Sequence, residues 1–542
     1  MIGEASLGLA TGGTSMLACS LIELIMLDIR SGLTIHERDL AMQSKNTLPP
    51  GPKGLPFLGN IVPLKRNQLS YLLDLQKTYG RMATIAVGKT PIVMLFRPEH
   101  VRYVLAENPE NFTNSEVAGG LVFGNLLILS LLAPDATTKV AEGFREIVGH
   151  SLLSTDGEFH RKQRRLIQPA FYKKRVEDFA DMIVSYTRET MAHWQLEAEI
   201  DISHEMQNLI FRIIMKVLVD IDVASGNSEE LELAQAVLGH PIGIFEGLLN
   251  LKIDLPLTPY GKRMAAKRKA DAYIYQMIDK RRAENRDTGD ILSILLQAED
   301  EHGTPMPNQQ IRDALVTLIA AGSETTTNSM NWTLHLLSEH PDVCEKVVAE
   351  LQRVLAGRNP QVSDLPHLPY LEWVIQESMR MYPSAWTQGR QAVKGFDLDG
   401  YHFPPGMLIC FSQWVLHRLP DIWGDPDVFR PERWDPARGE KVPPWAYFPF
   451  GGGVRVCMGK PLAQLEIRLV LATLLQHYVP QRIPEHPIVP TPLITLHVKH
   501  GIRVKCKAVP VPDEKPTLVD LEEAKAEQCP YHQKSETTSK NT

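Results

Sequence analysis

The 542-residue chain has few cysteines and no excess of positive charge, and both shortages argue against whole classes of function. Its 6 Cys form no Cys-x-x-Cys pair, so we expect neither a disulfide scaffold nor a zinc or iron–sulfur cluster of the usual kind. Lys and Arg number 57 against 64 Asp and Glu, which gives a formal net charge of −7. This balance argues against nucleic acid as a partner, because phosphate binding needs a basic surface. The sequence therefore predicts a reduced, cytoplasmic, soluble protein.

Long apolar runs are also missing, since a membrane-spanning helix needs about 20 apolar residues. The best N-terminal candidate, residues 16–27, is shorter, contains Glu23, and lacks the basic flank and cleavage site of a signal peptide. We interpret residues 1–47 as a leader, disordered or produced by a start codon assigned upstream of Met42; a weak membrane-surface anchor is the alternative. A second apolar run, residues 119–132, predicts a core helix or an apolar loop over a ligand cavity.

What the chain does contain is enough apolar sequence for a large core, with 44% hydrophobic and 22% charged residues. Helical patterns predominate between residues 157 and 350, and the longest covers residues 309–338. Further helices are predicted at residues 371–381 and 460–478, a β-hairpin at 82–96, and strands at 391–403 and 493–504. We therefore predict one mainly α domain with a small β portion over residues 48–507, followed by a disordered tail at 508–542.

The strongest chemical signal is a glycine-rich loop that carries one cysteine immediately before a predicted helix. The loop reads Phe450-Gly451-Gly452-Gly453-Val454-Arg455-Val456-Cys457-Met458-Gly459. A cysteine at a helix N-terminus is expected to have a lowered pKa, and glycines allow the backbone to approach a flat cofactor. The alternatives are a packed turn with a buried cysteine or a phosphate loop, but a phosphate loop would end in Lys-Ser/Thr.

This loop resembles the haem-thiolate signature of the cytochrome P-450 family, in which Phe, Gly, Arg, Cys and Gly occupy fixed positions. All five positions match, at Phe450, Gly453, Arg455, Cys457 and Gly459. The resemblance implies that the Cys457 thiolate is the axial ligand of a haem iron. It also places Phe450, Gly451, Arg455 and Gly459 against the haem.

Two charged motifs gain meaning from the resemblance. In Glu377-Ser378-Met379-Arg380 the Glu and Arg share a helix face, which by itself is common on protein surfaces. Arg433 follows in Pro431-Glu432-Arg433-Trp434, in the order of the family's Glu–Arg–Arg triad. We therefore assign Glu377, Arg380 and Arg433 to folding and haem retention.

A polar segment, Ala320-Ala321-Gly322-Ser323-Glu324-Thr325-Thr326-Thr327, interrupts the longest predicted helix. Gly and consecutive Thr are poor helix formers, and Thr hydroxyls can bond backward to carbonyls, so the segment predicts a functional kink; a solvent-facing polar patch is the alternative. The segment resembles the family's oxygen-activation sequence. That match implies that Thr325 and Glu324 deliver protons during dioxygen activation.

Cations for the haem propionates come from three regions by the same resemblance. Arg455 lies in the cysteine loop, and Arg390 follows the segment 383–389. His160 and Arg164 match the family's Trp-x-x-x-Arg helix, with His in place of Trp. An ordinary solvated basic face is the alternative for this helix.

The resemblance implies the cytochrome P-450 fold and a monooxygenase, an oxidoreductase of class EC 1.14, that inserts one atom of O2 into a small apolar substrate. We expect haem b, a pocket lined by Ala321, Ser384 and Ala385, and a monomer. No flavin or iron–sulfur motif is present, so electrons from NAD(P)H should arrive through a ferredoxin with its reductase or a flavoprotein reductase. Two alternatives stay open: a peroxide-using or substrate-rearranging haem-thiolate enzyme, and a non-catalytic haem protein that binds gases. Substrate identity is not determined by these motifs.

Overall fold

The computed structural model describes residues 48–114, 145–223, 255 and 257–509. The first helices are α1 (Ile61–Arg66), α2 (Gln68–Tyr79), α3 (Pro98–Arg102), α4 (Gly157–Ile167), α5 (Lys173–Glu177), α6 (Ala180–Met191) and α7 (Ile202–Val219). They are followed by α8 (Pro259–Glu284), α9 (Ile291–Gln297), α10 (Asn308–Glu339), α11 (Pro341–Leu355), α12 (Pro369–Met381), α13 (Gln413–Leu416), α14 (Pro420–Trp423) and α15 (Lys460–Leu475). A π-helical turn, Tyr103–Glu107, continues directly from α3.

The strands come from distant parts of the chain and form small sheets. They are β1 (Met82–Val87), β2 (Thr90–Leu95), β3 (Phe112–Thr113), β4 (Glu199–Asp201), β5 (Gln388–Ala392), β6 (Phe396–Leu398), β7 (Tyr401–Phe403), β8 (Leu408–Phe411), β9 (Tyr478–Arg482), β10 (Pro490–Pro492), β11 (Leu496–Val498) and β12 (Arg503–Ala508). The largest sheet has the order β1-β2-β8-β5-β3; the others are β4-β12-β9, β10-β11 and β6-β7. The predicted mainly α fold with a small β portion is confirmed.

Helix α10 forms the centre of the helical layer, with α7, α12 and α15 packed against it. Every residue from Thr326 to Leu337 is buried, which is the pattern of a helix covered on all sides. The hydroxyls of Thr317 and Thr327 are buried without a hydrogen-bond partner among the described residues, but the Ser323, Ser329 and Thr333 hydroxyls each donate to the carbonyl four residues earlier. A polar central helix can therefore be buried without unpaired hydroxyls at these positions.

Several local predictions can be compared with this structure. The hairpin at 82–96 is confirmed, with Met82 opposite Leu95 and Val87 opposite Thr90. The helix predicted to end at residue 478 is wrong at its C-terminus, because α15 ends at Leu475 and Tyr478 already pairs with Ala508 in the sheet. That pairing also extends the ordered domain to the first residue of the predicted tail. The predicted kink in α10 stays a prediction, and the helix is continuous from Asn308 to Glu339.

Three regions of the sequence analysis fall wholly or partly outside the described residues. They are the leader 1–47, the apolar run 119–132 and residues 510–542. Among the described residues, no helix is long and apolar enough to cross a membrane.

Candidate active site

The loop before α15 is folded so tightly that one position demands glycine. Gly453 has a φ of +63°, and a Cβ atom there would lie 1.8 Å from the carbonyl oxygen of Leu105 in the π-helical turn. At the end of the loop, the Cys457 N–H donates to the carbonyl of Phe450 at 2.9 Å. Gly459 then caps α15, so the loop presents Cys457 one turn before the helix starts. Of the other predicted loop residues, Gly451 also has positive φ, and Phe450 is partly buried beside the Lys460 ammonium.

Cys457 is accessible to solvent, although protein surrounds it on most sides. Burial raises the pKa of its thiol, while backbone N–H groups of Gly459 and Lys460 and the positive charge of Arg164 act in the opposite direction. The lowered pKa predicted from the helix N-terminus is therefore wrong, because desolvation outweighs the hydrogen bonds. The sulfur nevertheless has the N–H donors that would stabilise it as a thiolate bound to a metal.

Four cationic or potentially cationic residues predicted from the sequence lie close enough to influence one another. Arg390, on β5, is 6% exposed, and its guanidinium donates to the Asn114 side chain at 3.0 Å and to the carbonyl of Gly389 at 2.7 Å. Burial lowers the pKa of Arg390 to about 10, and the charge of Arg455 adds to this effect. Burial also lowers the pKa of His160 to about 4, helped by the charges of Arg455 and Arg164.

Only one of these cations has a carboxylate partner within the part of the chain that the structure describes. Arg455 pairs with Asp156 and donates to the carbonyls of Leu152 at 3.1 Å and Thr155 at 2.7 Å. Arg390 forms no ion pair with any described residue, although it is buried. The Asp156 carboxylate acts on Arg390 only from a distance and is already paired with Arg455, so the two guanidinium groups share one carboxylate. A buried cation that is only partly compensated is costly, so this cluster is suited to an anionic ligand.

The polar segment of α10 places Glu324 and Thr325 at a partly exposed stretch of an otherwise buried helix. Ala321, one turn earlier on the same face, is exposed, and the Thr325 hydroxyl donates to its carbonyl at 2.7 Å. Ser384, from the predicted pocket segment, donates to the carbonyl of Thr325 at 2.9 Å. Thus Ala321, Thr325 and Ser384 meet at one place, with Ala385 partly buried beside Ser384.

Glu324 has two partners that sequence reasoning missed. Its Oε1 atom accepts from the Thr495 hydroxyl at 2.5 Å and lies 2.5 Å from Nε2 of His497. Burial acts to raise the pKa of Glu324, but the hydrogen bond and charge of His497 with the Thr495 hydroxyl outweigh it, so this pKa lies below its ordinary value. The two partners are more than 170 residues away in sequence, and no motif marks them.

A second missed carboxyl connects α10 with α15. Glu466 is 1% exposed in the second turn of α15, where α15 packs against α10, and the Thr326 hydroxyl of α10 acts to lower its pKa. Burial raises the pKa of Glu466 to about 8. The helix that follows Cys457 is therefore joined directly to the helix that carries Thr325.

Comparison with known proteins identifies the family to which this chain belongs. A sequence model of the cytochrome P450 family matches residues 49–120 and 136–501. The chain belongs to the cytochrome P450 family. The family match is interrupted at residues 121–135, which overlap the apolar run at residues 119–132.

Several relatives with similar sequences are bacterial P450s. Cyclooctatin synthase from Streptomyces melanosporofaciens is 32% identical, covering 83% of this chain and 94% of the relative. Pentalenene oxygenase from Streptomyces avermitilis is 29% identical, covering 84% of this chain and 96% of the relative. Among solved structures, retinoic acid-bound cyanobacterial CYP120A1 superposes with a TM-score of 0.71 at 24% identity, covering 85% of this chain and 99% of that one. The predicted P450 fold and the enzyme class, a haem-thiolate monooxygenase of class EC 1.14, are confirmed.

The P450 family uses haem and O2, and the residues of this chain fit a haem. The fit rests on the buried Arg390, which lacks a carboxylate partner among the described residues, and on a cysteine loop where Gly453 leaves no room for a side chain. Haem brings two propionate carboxylates, and these would compensate the buried guanidinium groups of Arg390 and Arg455. His160 is neutral at pH 7, and a neutral imidazole still has one N–H to donate to such a carboxylate.

The Glu–Arg–Arg motif of this P450 forms a fully enclosed charge cluster. Arg380 donates twice to Glu377, with both distances 2.9 Å, and neither side chain has any exposed surface. Arg433 donates to the same carboxylate at 3.2 Å. Trp434, which sequence reasoning did not include, adds its indole N–H at 3.0 Å. The cluster joins α12 to the chain segment that precedes the cysteine loop.

Proposed function

We propose that this P450 hydroxylates or epoxidises a cyclic terpenoid, with Cys457 as haem ligand and with Thr325 and Glu324 managing protons. The observation that carries the roles of Thr325 and Glu324 is the connection between the two halves of the site. Helix α15 packs directly against α10, with Glu466 beside Thr326, and α15 begins directly after the Cys457 loop. This connection supports placing the Glu324–Thr325 segment opposite the cysteine.

Bound haem would supply the redox chemistry that activates O2 for insertion into a C–H or C=C bond. The Cys457 sulfur would hold the iron, with the Gly459 and Lys460 N–H groups directed at it. The Thr325 hydroxyl would orient a proton toward dioxygen, and the Glu324 carboxyl would replace that proton from solvent. Arg390, Arg455, Arg164 and His160 would hold the propionates, and we propose haem b because no second cysteine lies near enough in sequence for a covalent attachment motif.

The substrate class is supported by the relatives and by the apolar side of the pocket. Cyclooctat-9-en-7-ol 5-monooxygenase, 32% identical over 83% of this chain, and pentalenene oxygenase are named for oxidising cyclic hydrocarbon skeletons. Ala321 and Ala385 offer methyl groups where the polar segment of α10 meets Ser384. We therefore propose a mostly apolar ring system as the substrate.

Thr325→Ala and Glu324→Gln are expected to lower coupled product formation by about 10²-fold, toward the lower end of what positioned proton donors contribute. Electrons should still be consumed, so that NADPH is oxidised with little product. Product formation driven by added hydrogen peroxide should be nearly unchanged, because peroxide already carries the protons and electrons. The measurement is product formed per NADPH consumed.

Ser323→Ala is the matched control, because Ser323 makes the same backward hydrogen bond, at 2.7 Å to Ile319, but is buried away from the proposed site. It should couple like the wild type. If all three variants lost coupling equally, the effect would come from the helix itself, and the proposed roles of Thr325 and Glu324 would be withdrawn.

P450s of bacteria generally need a separate redox partner. We propose that this enzyme is a monomer that receives its electrons from a small acidic ferredoxin with its reductase. Helix α4 carries Arg164, whose charge acts on Cys457, together with exposed Arg161 and Arg165. Exposed Lys173, Lys174 and Arg175 continue this basic surface in α5. An acidic partner at this surface would dock near the sulfur, which gives a short route for electrons.

NADPH alone is expected to give no turnover with the purified holoenzyme, and ferredoxin with ferredoxin reductase should restore it. The restored rate should fall as salt is raised, because the proposed docking is electrostatic. Arg161→Glu with Arg165→Glu should reduce the ferredoxin-driven rate while peroxide-driven turnover stays constant. Turnover with NADPH alone would overturn the requirement for a partner; faster turnover with peroxide than with any donor would favour the peroxide-using alternative.

A further inference from the structure

The most informative group outside the recognised motifs is the strand pair β10–β11 where it passes α10. His497 of β11 lies 2.5 Å from Oε1 of Glu324, and the Thr495 hydroxyl donates to the same oxygen. Thr495 also lies 3.0 Å from Nε2 of His497, so the three side chains form a closed triangle. Glu324 is thus held by an imidazole and a hydroxyl at once.

Helix α10 is fixed along this hairpin at three successive turns. After Glu324, Asn328 donates to the Thr495 hydroxyl at 2.9 Å, and the Trp332 indole donates to the carbonyl of Leu496 at 2.9 Å. Residues 324, 328 and 332 are four apart and therefore lie on one face of the helix. The contacts of Asn328 and Trp332 with the hairpin are buried. They therefore fix the position of His497 relative to Glu324.

The contact between Glu324 and His497 differs from the other two because both side chains are partly exposed to solvent. The side chain of His497 is 33% exposed and that of Glu324 is 40% exposed, whereas Asn328 and Trp332 are buried. Among the described residues, His497 is the ionisable side chain that acts on Glu324, and Thr495 and Asn328 complete its surroundings with neutral dipoles. An imidazole at this place can take a proton from water on one side and offer it to the carboxylate on the other.

We propose that His497 is a positioning residue that holds Glu324 and reloads it with protons from solvent during turnover. In each transfer the Nε2–H bond of the imidazolium breaks and an O–H bond forms on Oε1 of Glu324. The neutral imidazole keeps its Nδ1–H and regains the proton at Nε2 from hydronium or a buffer acid in the solvent, so no electrons and no further reactant are required. This inference rests on the proposed role of Glu324, and it adds the residue that supplies it.

His497→Gln and His497→Ala test this directly in the haem-loaded enzyme. Glutamine can still donate a hydrogen bond to Glu324 but cannot carry a proton, whereas alanine does neither. His500→Gln is the matched control, because His500 is exposed in the turn that follows β11, three residues after His497. Both His497 variants should lower coupled turnover about tenfold, part of the ~10²–10⁴-fold that positioned acid–base groups contribute, with KM for the substrate unchanged.

A second readout does not depend on turnover. Infrared difference spectra of the protonated carboxyl, with the Glu324 band identified by its loss in Glu324→Gln, give the pH at which Glu324 titrates. In the wild type and in His500→Gln this midpoint should lie below that of an ordinary glutamate, since the pKa of Glu324 is lowered. In His497→Ala it should rise, because burial then acts without the opposing charge.

The outcomes separate this inference from the proposed function. If Glu324→Gln itself keeps full coupling, the role proposed for Glu324 fails. If Glu324→Gln loses coupling but His497→Gln and His497→Ala both keep the wild-type coupled rate, only the role of His497 fails. An unchanged Glu324 midpoint in His497→Ala would also overturn the inference, because the pair would then not determine the ionisation of the carboxylate.

Discussion

Cys457→Ala is expected to abolish monooxygenase turnover and the red-shifted Soret band of the reduced, carbon monoxide-bound enzyme. The reason is that a thiolate ligand, and no neutral side chain, donates the electron density that this shift and oxygen activation require. Haem content should fall as well, although the cationic cluster around Arg390 and Arg455 would still attract propionates. The measurement is the absorbance spectrum of the reduced protein with and without carbon monoxide.

Cys344→Ala provides the control for this experiment. Cys344 is buried in α11, and burial raises the pKa of its thiol to about 12, so it is an inert core residue. Its variant should keep the wild-type spectrum. A Cys457→Ala protein that retained the red-shifted band would show that another residue ligates the iron, and the assignment of the whole loop would fall with it.

Glu377→Ala is expected to destabilise the enzyme by about 3–5 kcal/mol, the cost of leaving buried partners of an ion pair without their counter-charge. Both Arg380 and Arg433 would remain buried, at 0% and 3% exposure, with no carboxylate between them. The variant should purify with little haem or fail to accumulate as folded protein. Denaturant unfolding of the holoenzyme, followed by the Soret band, measures the loss.

Glu99→Gln is the control that tests whether the loss of an exposed ion pair destabilises the enzyme as much as the loss of a buried one. Glu99 pairs with Arg81 at 2.9 Å, but both side chains are about half exposed, at 50% and 51%. An exposed pair of this kind contributes no more than about 1 kcal/mol, so this variant should unfold almost like the wild type. A Glu377→Ala enzyme of nearly wild-type stability would contradict the view that the buried triad is essential to the fold.

Much of the fold and part of the site could be predicted from local sequence. The hairpin at Gly88, the long helix through Thr325 and the helix after Cys457 all follow from periodicity and from glycine and proline positions, because such elements are determined by neighbouring residues. The Cys457 loop was recognisable because five fixed positions lie within ten residues. The end of α15 was predicted three residues too late, since Tyr478 is drawn into a sheet by β12, a partner that local pattern does not reveal.

The sequence by itself determined the family and the chemical class, and it predicted Cys457 as the iron ligand, because these depend on short motifs whose residues are adjacent in the chain. Only the tertiary structure decided which groups surround the carboxyls of the site. His497 reaches Glu324 across 173 residues, and Glu466 reaches Thr326 from another helix. The direction in which each of these pKa values moves is likewise set by burial and by partners brought together in folding. Burial raises the pKa of Glu466 to about 8. At Glu324 the effect of burial is outweighed by the His497 imidazole together with the Thr495 hydroxyl. No pattern in the sequence distinguishes these two glutamates.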